Sequence, residues 1–295
     1  MDVSIIIVNY NTCKITLDCI NSIYEKTKDI SFEVILVDNA SSDDSKEIFS
    51  KDNRITYIYN DKNKGFGCAN NDGIKVSKGR NIFFLNSDTI LINNAIKVLS
   101  DFLDNYDEAG ACGGNLFNTD NKPAHSYRRF YPSIFWEFNS LLYNIPERIL
   151  YGKNAEHNET NKVMEVAHII GADLMVKRKV LDEVGCFDVN FFMYREETEL
   201  CYRIKRAKYK IFSVPNALII HLEGMSVKSG FEKINENKIR WIQNNTKLFL
   251  SMYHHPIYVK IVIAIEYISV FSKILLCSMF KRSHLRYWYT VLKNI

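Results

Sequence analysis

Three stretches of the sequence hold residue types at spacings that chemistry can use. Phe83-Phe84-Leu85 runs directly into Asn86-Ser87-Asp88. A buried strand that stops at a carboxylate puts charge on the carboxyl edge of a sheet, where ligands of open α/β sheets bind. Further on, Glu196-Glu197-Thr198-Glu199 precedes Leu200, Ile204 and Lys205. This is the pattern of a helix whose acidic first turn meets the positive end of its dipole. A carboxylate within reach of a hydroxyl can act as a general base. The third is His221, which closes the short apolar run 218–220. Each stretch has a plain structural alternative: a helix N-cap for Asp88, an i, i+4 partner of Arg203 for Glu199, a backbone-bonded strand end for His221.

The elements that must position these groups alternate. Residues 4–8 are a β-branched run ending in Asn9-Tyr10-Asn11, and Ile15, Cys19, Ile20 and Ile23 follow at helical spacing. Residues 32–37 form a second strand ending at Asp38-Asn39. Ser41 with Asp44 predicts a capping box for a helix to about Phe49. A third strand at 55–59 leads into the turn Asn63-Lys64-Gly65-Phe66-Gly67 and a helix through Val76. A fourth at 81–85 delivers Asn86-Ser87-Asp88, and a helix is expected over 93–104. This rhythm predicts an α/β fold with a mostly parallel sheet flanked by helices, all its strand ends on one edge. The loops at Asn9, Asp38, Gly65 and Asp88 then share one crevice, as a nucleotide site requires. Residues 116–162 break the rhythm and read as a long polar and aromatic loop carrying Arg128 and Arg129. Order resumes at 163–170 and 174–176, with a short helix near 179–184 and short strands at 211–214 and 218–220.

Composition narrows the class. The net charge of +4 is carried by residues 281–295, where Lys281, Arg282, Arg286 and Lys293 meet no acid; the rest of the chain is neutral. That is a basic tail and not a body that coats nucleic acid. Seven scattered cysteines without a Cys-x-x-Cys pair fit a reducing compartment. The N-terminal apolar run is too short for an export signal, so a cytoplasmic protein is expected. Residues 257–280 are almost wholly apolar. Glu266, Ser269 and Lys273 form one narrow polar stripe, and with the basic tail this predicts an amphipathic helix lying on a membrane surface, the alternative being a helix that packs on the main domain.

Taken in order, Ile6-Ile7-Val8-Asn9-Tyr10-Asn11, Val37-Asp38-Asn39-Ala40-Ser41-Ser42-Asp43, Asn63-Lys64-Gly65-Phe66-Gly67 to Asn70-Asn71, Asn86-Ser87-Asp88 and Phe192-Met193-Tyr194-x-Glu196-Glu197 resemble the family 2 glycosyltransferases with the GT-A fold. The similarity is to the branch that includes bacterial rhamnosyltransferases, and it covers roughly residues 1–230. It implies inverting transfer of a sugar from a nucleoside-diphosphate-sugar, such as dTDP-rhamnose or a UDP-sugar, to a saccharide acceptor, lipid-linked and used in surface polysaccharide. On that resemblance Asn9, Asn11, Asp38, Asn39, Gly65, Asn70, Asn86 and Ser87 bind nucleotide. Asp88 is the last residue of an Asp-x-Asp motif whose first position is Asn86, and it holds Mn²⁺ or Mg²⁺, with His221 completing the site. Glu197 stands where the family has its catalytic Asp. Glu196 and Asp173 are the alternative carboxylates, and Arg128 and Arg129 are candidates to meet a diphosphate or the acceptor.

The expected layout is a GT-A domain over 1–250, with a nucleotide half to about 115 and an acceptor half over 116–250, followed by a helical, membrane-associated tail at 251–295. Two other classes compete: a sugar-phosphate nucleotidyltransferase and a non-catalytic membrane scaffold. The first would carry a glycine- and arginine-rich phosphate loop near its start, and residues 5–20 hold neither residue type. The second would need neither Asp88 nor Glu197.

Overall fold

The computed structural model describes residues 1–222, 235–280 and 284–295. In chain order its elements are β1 (Val3–Asn9), α1 (Cys13–Lys26), β2 (Phe32–Asp38), α2 (Ser45–Phe49), β3 (Ile55–Tyr59), α3 (Phe66–Val76), β4 (Asn81–Asn86), β5 (Thr89–Leu91), α4 (Ala95–Asn105), β6 (Ala109–Phe117) and β7 (Tyr127–Arg128). There follow α5 (Ile134–Leu141), α6 (Ile145–Tyr151), β8 (Met164–Glu165), β9 (His168–Ile169), β10 (Asp173–Lys177), α7 (Arg178–Val184), α8 (Glu196–Arg206), β11 (Lys210–His221), α9 (Glu236–Tyr253), α10 (Pro256–Phe280) and α11 (Leu285–Asn294).

The chain divides into two compact units. The first holds Met1–Arg129, Glu156–Phe192 and, of the described residues, 196–222. Its main sheet runs β3-β2-β1-β4-β10-β6-β11-β5, with β8 on β11. The four strands read from the sequence pair in parallel, and β10 and β5 enter antiparallel, so the sheet is mixed. β1 and β4 are buried on both faces, which is why they are near-continuous Ile, Val and Phe. Register matters most for function: Asn9 pairs with Asp38, and Val8 pairs with Asn86. The polar residue that ends each strand therefore lands on the same edge.

Several expectations fail locally, for identifiable reasons. β5 stands between Asp88 and the helix, which starts at Ala95. β6 was masked by its glycines. A Cβ at Gly113 would come within 2.4 Å of Ile169 Cγ2 and one at Gly114 within 2.5 Å of the Ala217 carbonyl, so close backbone approach excludes the β-branched residues that mark a strand. The expected strands 211–214 and 218–220 are one strand, β11, whose register shifts between Ser213 and Leu218. The capping box does not form. Asp43 accepts from the Ser45 amide at 3.1 Å, and Ser41 faces Asn9 instead. All seven cysteines are free. Burial holds the Cys19 thiol up at about 12 and raises Cys112 and Cys201 as well, as expected of inert structural thiols.

The second unit holds Phe130–Ala155, Met193–Arg195 and the described residues 235–280 and 284–295. The middle stretch expected as loop supplies two of its helices, α5 and α6. Lys281 and Arg282 of the basic tail lie outside the described residues. α10 reverses the expected amphipathic arrangement: its polar stripe points into the unit. Glu266 and Ser269 are buried, and Lys273 Nζ donates to Ser140 Oγ at 2.7 Å. A cavity of about 160 Å³ lies there, lined by Glu137, Glu266, Lys273, Arg195, Trp136 and Trp288 among others. Arg195 stands over the Trp136 ring and Lys273 over the Trp288 ring, 5.2 and 4.8 Å from the centroids.

Glu137 is held protonated in this cavity. Burial first, then the neighbouring Glu266, raise its pKa to about 8, against the pull of Lys273 and Arg195. An unfolded chain ionises this carboxyl near pH 4.3. Stability from this group is thus complete in acid and drains away as pH rises from about 4.3 to about 8, on the order of 5 kcal/mol in all. Glu137→Gln is expected to flatten that slope and to raise the melting temperature at pH 8.5. Thermal unfolding of both proteins from pH 5 to 9 checks it; parallel curves would refute it.

Candidate active site

The sheet edge is wired together before any ligand arrives. The Asn9 side chain is fully used: its amide donates to Ser41 Oγ and Ser45 Oγ at 3.0 and 2.8 Å, and its oxygen accepts from Thr12 and Thr16 at 2.8 and 2.9 Å. It ties the loop after β1 to the loop after β2. Asn11, at a left-handed φ of +56°, accepts from the Ser42 amide at 2.7 Å. Asn39 does the same across the next gap, bonding the Asn63 side chain at 2.8 Å and the Lys64 amide at 3.1 Å. Asp38 is buried and takes the Ser41 amide at 2.9 Å and the Tyr57 hydroxyl at 2.7 Å. Tyr57 is a site residue the sequence reading missed. Its signal was two-residue alternation in β3, which places Tyr57 on one face of that strand.

Gly65 sits at φ +85°, and a Cβ there would come within 2.2 Å of the Phe192 carbonyl. The Phe66 amide donates to that same carbonyl at 2.9 Å. Asn71 clamps both backbone groups of Phe187, whereas Asn70 is buried and donates to the Phe66 carbonyl within its own helix. The start of α3 and the segment leading to α8 are therefore locked together. Gly65→Ala combines a disallowed φ with a backbone overlap, and a loss of about 2–4 kcal/mol is expected. Urea unfolding measures it; a loss under about 0.5 kcal/mol would overturn the assignment.

At the end of β4, the Asn86 backbone N–H donates to the Ala172 carbonyl at 3.0 Å. Ser87 Oγ meets Thr12 Oγ1 at 3.3 Å. Asp88 Oδ1 lies 3.2 Å from His221 Nε2, and the Asn86 side-chain amide stands 3.4 Å from the same nitrogen. Asp88 does not cap a helix, because Asn94 holds that position on α4. A divalent ion with bonds near 2.1 Å sets neighbouring ligands about 3.0 Å apart. An oxygen and an imidazole nitrogen at 3.2 Å fit that bite. Among the described residues no group of three or more His, Cys, Asp or Glu converges.

The acidic turn of α8 sorts itself by burial. Glu199 is buried and bidentate with Arg203, at 2.7 Å for both bonds. Glu196 is buried, and its Cβ lies 3.6 Å from the place a Gly67 Cβ would take. Glu197 is half-buried; its Cβ and Cγ pass 3.9 Å from the corresponding point on Gly171. Gly171 precedes Ala172, whose carbonyl holds Asn86, so the stem of Glu197 is brought beside the Asn86-Ser87-Asp88 loop. Asp173 is elsewhere in character. It is fully buried on β10, its Oδ2 takes the Gly114 amide at 2.6 Å, and desolvation raises its pKa well above the usual carboxylate range. Arg128 pairs with Glu156, and Arg129 donates to the Glu165 carbonyl at 3.2 Å, so both are engaged around a short strand pair and not on an open loop.

A mixed α/β sheet with polar residues ending β1, β2 and β4 in register, and a carboxylate–imidazole pair at the same edge, is the arrangement of a GT-A fold. Residues 4–185 match the model of Glycosyl transferase family 2, and the chain belongs to that family. It is 29% identical over 214 residues to the low-salt glycan biosynthesis hexosyltransferase Agl10 of Haloferax volcanii, covering 71% of this chain and 64% of that protein. It is 26% identical over 222 residues to the dTDP-rhamnosyl transferase RfbF of Shigella flexneri, covering 74% and 68%. Among solved structures, the mannosyltransferase PcManGT of Pyrobaculum calidifontis, in complex with GDP-Man and Mn²⁺, superposes with a TM-score of 0.57 at 14% identity, over 99% of this chain and 84% of that one. That likeness is one of fold.

Proposed function

We propose that the chain is an inverting glycosyltransferase that moves a sugar from a nucleoside-diphosphate-sugar to a saccharide acceptor carried on a lipid, at the cytoplasmic face of a bacterial membrane. The single observation that carries this reading is the Asp88–His221 pair at 3.2 Å, set on the sheet edge that also carries Asp38. Asp38 meets the nucleotide base, with Tyr57 fixing its carboxylate. The loops at Asn11, Asn39, Gly65, Asn70, Asn86 and Ser87 shape the donor site; the side chain of Asn9 braces that site from within. The relative named for dTDP-rhamnosyl transfer favours a dTDP-sugar among donors.

Asp88 and His221 would hold Mn²⁺ or Mg²⁺, which neutralises charge on the departing diphosphate. Glu197 takes the proton of the acceptor hydroxyl as its oxygen bonds the anomeric carbon. The bond from that carbon to the diphosphate oxygen breaks, and the nucleoside diphosphate leaves from the opposite face. A single displacement needs only one such base. We assign Asp173 to structure because its carboxylate takes the Gly114 amide within the sheet, and Glu196 because its stem packs beside Gly67 on α3, and leave Arg128 and Arg129 out of the reaction because both already have partners. The apolar C-terminal helices bring the enzyme to its lipid-borne acceptor.

The test is incubation with a panel of nucleotide-sugars and Mn²⁺ or Mg²⁺. Release of nucleoside diphosphate by the parent, lost in Asp88→Ala and Glu197→Gln, is expected. No release from any donor would sink the transferase. Pyrophosphate release from a nucleoside triphosphate and a sugar phosphate would replace it with the nucleotidyltransferase. Thermal shift against uridine, deoxythymidine and guanosine diphosphates narrows the donor, since bound ligand raises stability by mass action.

A further inference from the structure

The second unit has an outside that water alone does not explain. Along α10 the buried positions include Glu266, Ser269, Val270 and Ile274, while Ile268, Phe271 and Met279 are 58, 56 and 72% exposed. From Ile261 to Met279 no charged residue is exposed on this helix. The apolar face does not stop at α10. The Tyr143 hydroxyl meets Ser272 Oγ at 3.4 Å, so the chain after α5 lies beside α10. α5 and the residue that caps it add Phe135, Phe138 and Leu142, all exposed, and α6 adds Ile149 and Leu150, at 78 and 63%. An apolar face of this extent marks an interaction surface.

Charge says what meets it. In the described residues of this unit the acids are Glu137, Glu147, Glu236 and Glu266, and all but Glu236 are buried. Arg148, Lys153, Lys260, Arg286 and Lys293 are exposed. A second copy of the chain would set cation against cation across the contact, which is unfavourable. An anionic surface would not.

We propose that α5 and α6, in the middle of the chain, form a second lipid-binding element alongside α10 and α11, and that together they dock on a bilayer rich in anionic headgroups. The partner is the lipid itself: acyl chains for the apolar face, phosphate headgroups for the flanking cations. With its polar stripe sealed against α5, α10 lies in the interface and does not cross it. The inference rests on the membrane reading of the C-terminal helices and extends it to an element more than a hundred residues earlier.

The experiment is flotation of the full chain with vesicles of phosphatidylcholine alone or with a third phosphatidylglycerol, for the parent, Ile149→Glu/Leu150→Glu on α6 and Phe271→Glu/Leu275→Glu on α10. All four positions are exposed and lie outside the proposed reaction machinery. Melting temperature and nucleoside diphosphate binding report that each variant is folded. The expected result is parent binding at least about tenfold stronger with phosphatidylglycerol, and a loss of about tenfold or more in each variant. If only the α10 variant loses binding, the inference fails and C-terminal anchoring stands. If the parent floats with neither vesicle, or neither variant loses binding, both fail. A parent dimer in light scattering that the α6 variant dissociates would give the face to a second copy and overturn the proposal.

Discussion

Glu197→Gln is expected to lower kcat for sugar transfer by about 10²–10⁴-fold, the range a positioned general base supplies. Donor KM and nucleoside diphosphate affinity should hold, because the amide keeps the shape of the side chain and the Thr198 hydroxyl can still bond its oxygen, as it does at 2.9 Å now. The choice of Glu197 follows from its surroundings. Glu199 is consumed by Arg203, and Glu196 is buried beside Gly67, whereas Glu197 is half-buried and its stem runs past Gly171 beside the Asn86-Ser87-Asp88 loop. Glu197→Asp withdraws the carboxylate by one methylene and should fall between the parent and Gln. Steady-state kinetics with a saccharide acceptor measure all three. A Gln variant that keeps more than about a tenth of parental kcat would remove the base from Glu197.

Much of this site was legible because buried parallel strands are chemically plain. Ile5, Ile6 and Ile7, or Phe83 and Phe84, have no role but burial, so the first polar residue after them marks the edge. Asn9, Asp38 and Asn86 were placed that way, and the register bears out their common edge. What stayed hidden obeys other rules. β6 is a strand because its glycines let Ile169 and Ala217 approach, a reason that lies in the neighbours and not in the strand. The helices α5 and α6 were hidden because their apolar residues face outward and share the stretch with polar turns. Composition alone then reads as loop. α10 showed its polar stripe correctly but not which way it faces. Period fixes the stripe; only its partners, Ser140 and Gln243, decide that it points inward. Asn9 illustrates the same limit within the site, since its type suggested a ligand contact and its four bonds are all internal.

Asp88→Ala is expected to abolish metal-dependent donor binding and to reduce transfer by about 10³-fold, since cation stabilisation of a leaving diphosphate is worth several kcal/mol and each 1.4 kcal/mol is a factor of ten. The argument turns on how few protein atoms are available. Asn86 occupies the position where the family motif has its first acid, so it contributes an amide and no charge. His221 brings a neutral donor at best. Among the described residues Asp88 is then the carboxylate that ends β4, and the substrate's own phosphates are expected to complete the coordination shell. Two consequences separate this from an ordinary loss of structure. In the parent, calorimetry should detect Mn²⁺ binding only when nucleoside diphosphate is present. In Asp88→Ala the nucleotide should still bind through Asp38 and the loops around Gly65, but its affinity should no longer respond to Mn²⁺. His221→Ala, which leaves the carboxylate in place, should lose less and retain some metal response. Tight Mn²⁺ binding by the nucleotide-free parent would contradict the scheme, because two protein donors and an amide do not suffice to hold the ion. An Asp88→Ala protein whose nucleotide affinity still rises with Mn²⁺ would move the site away from this strand end altogether.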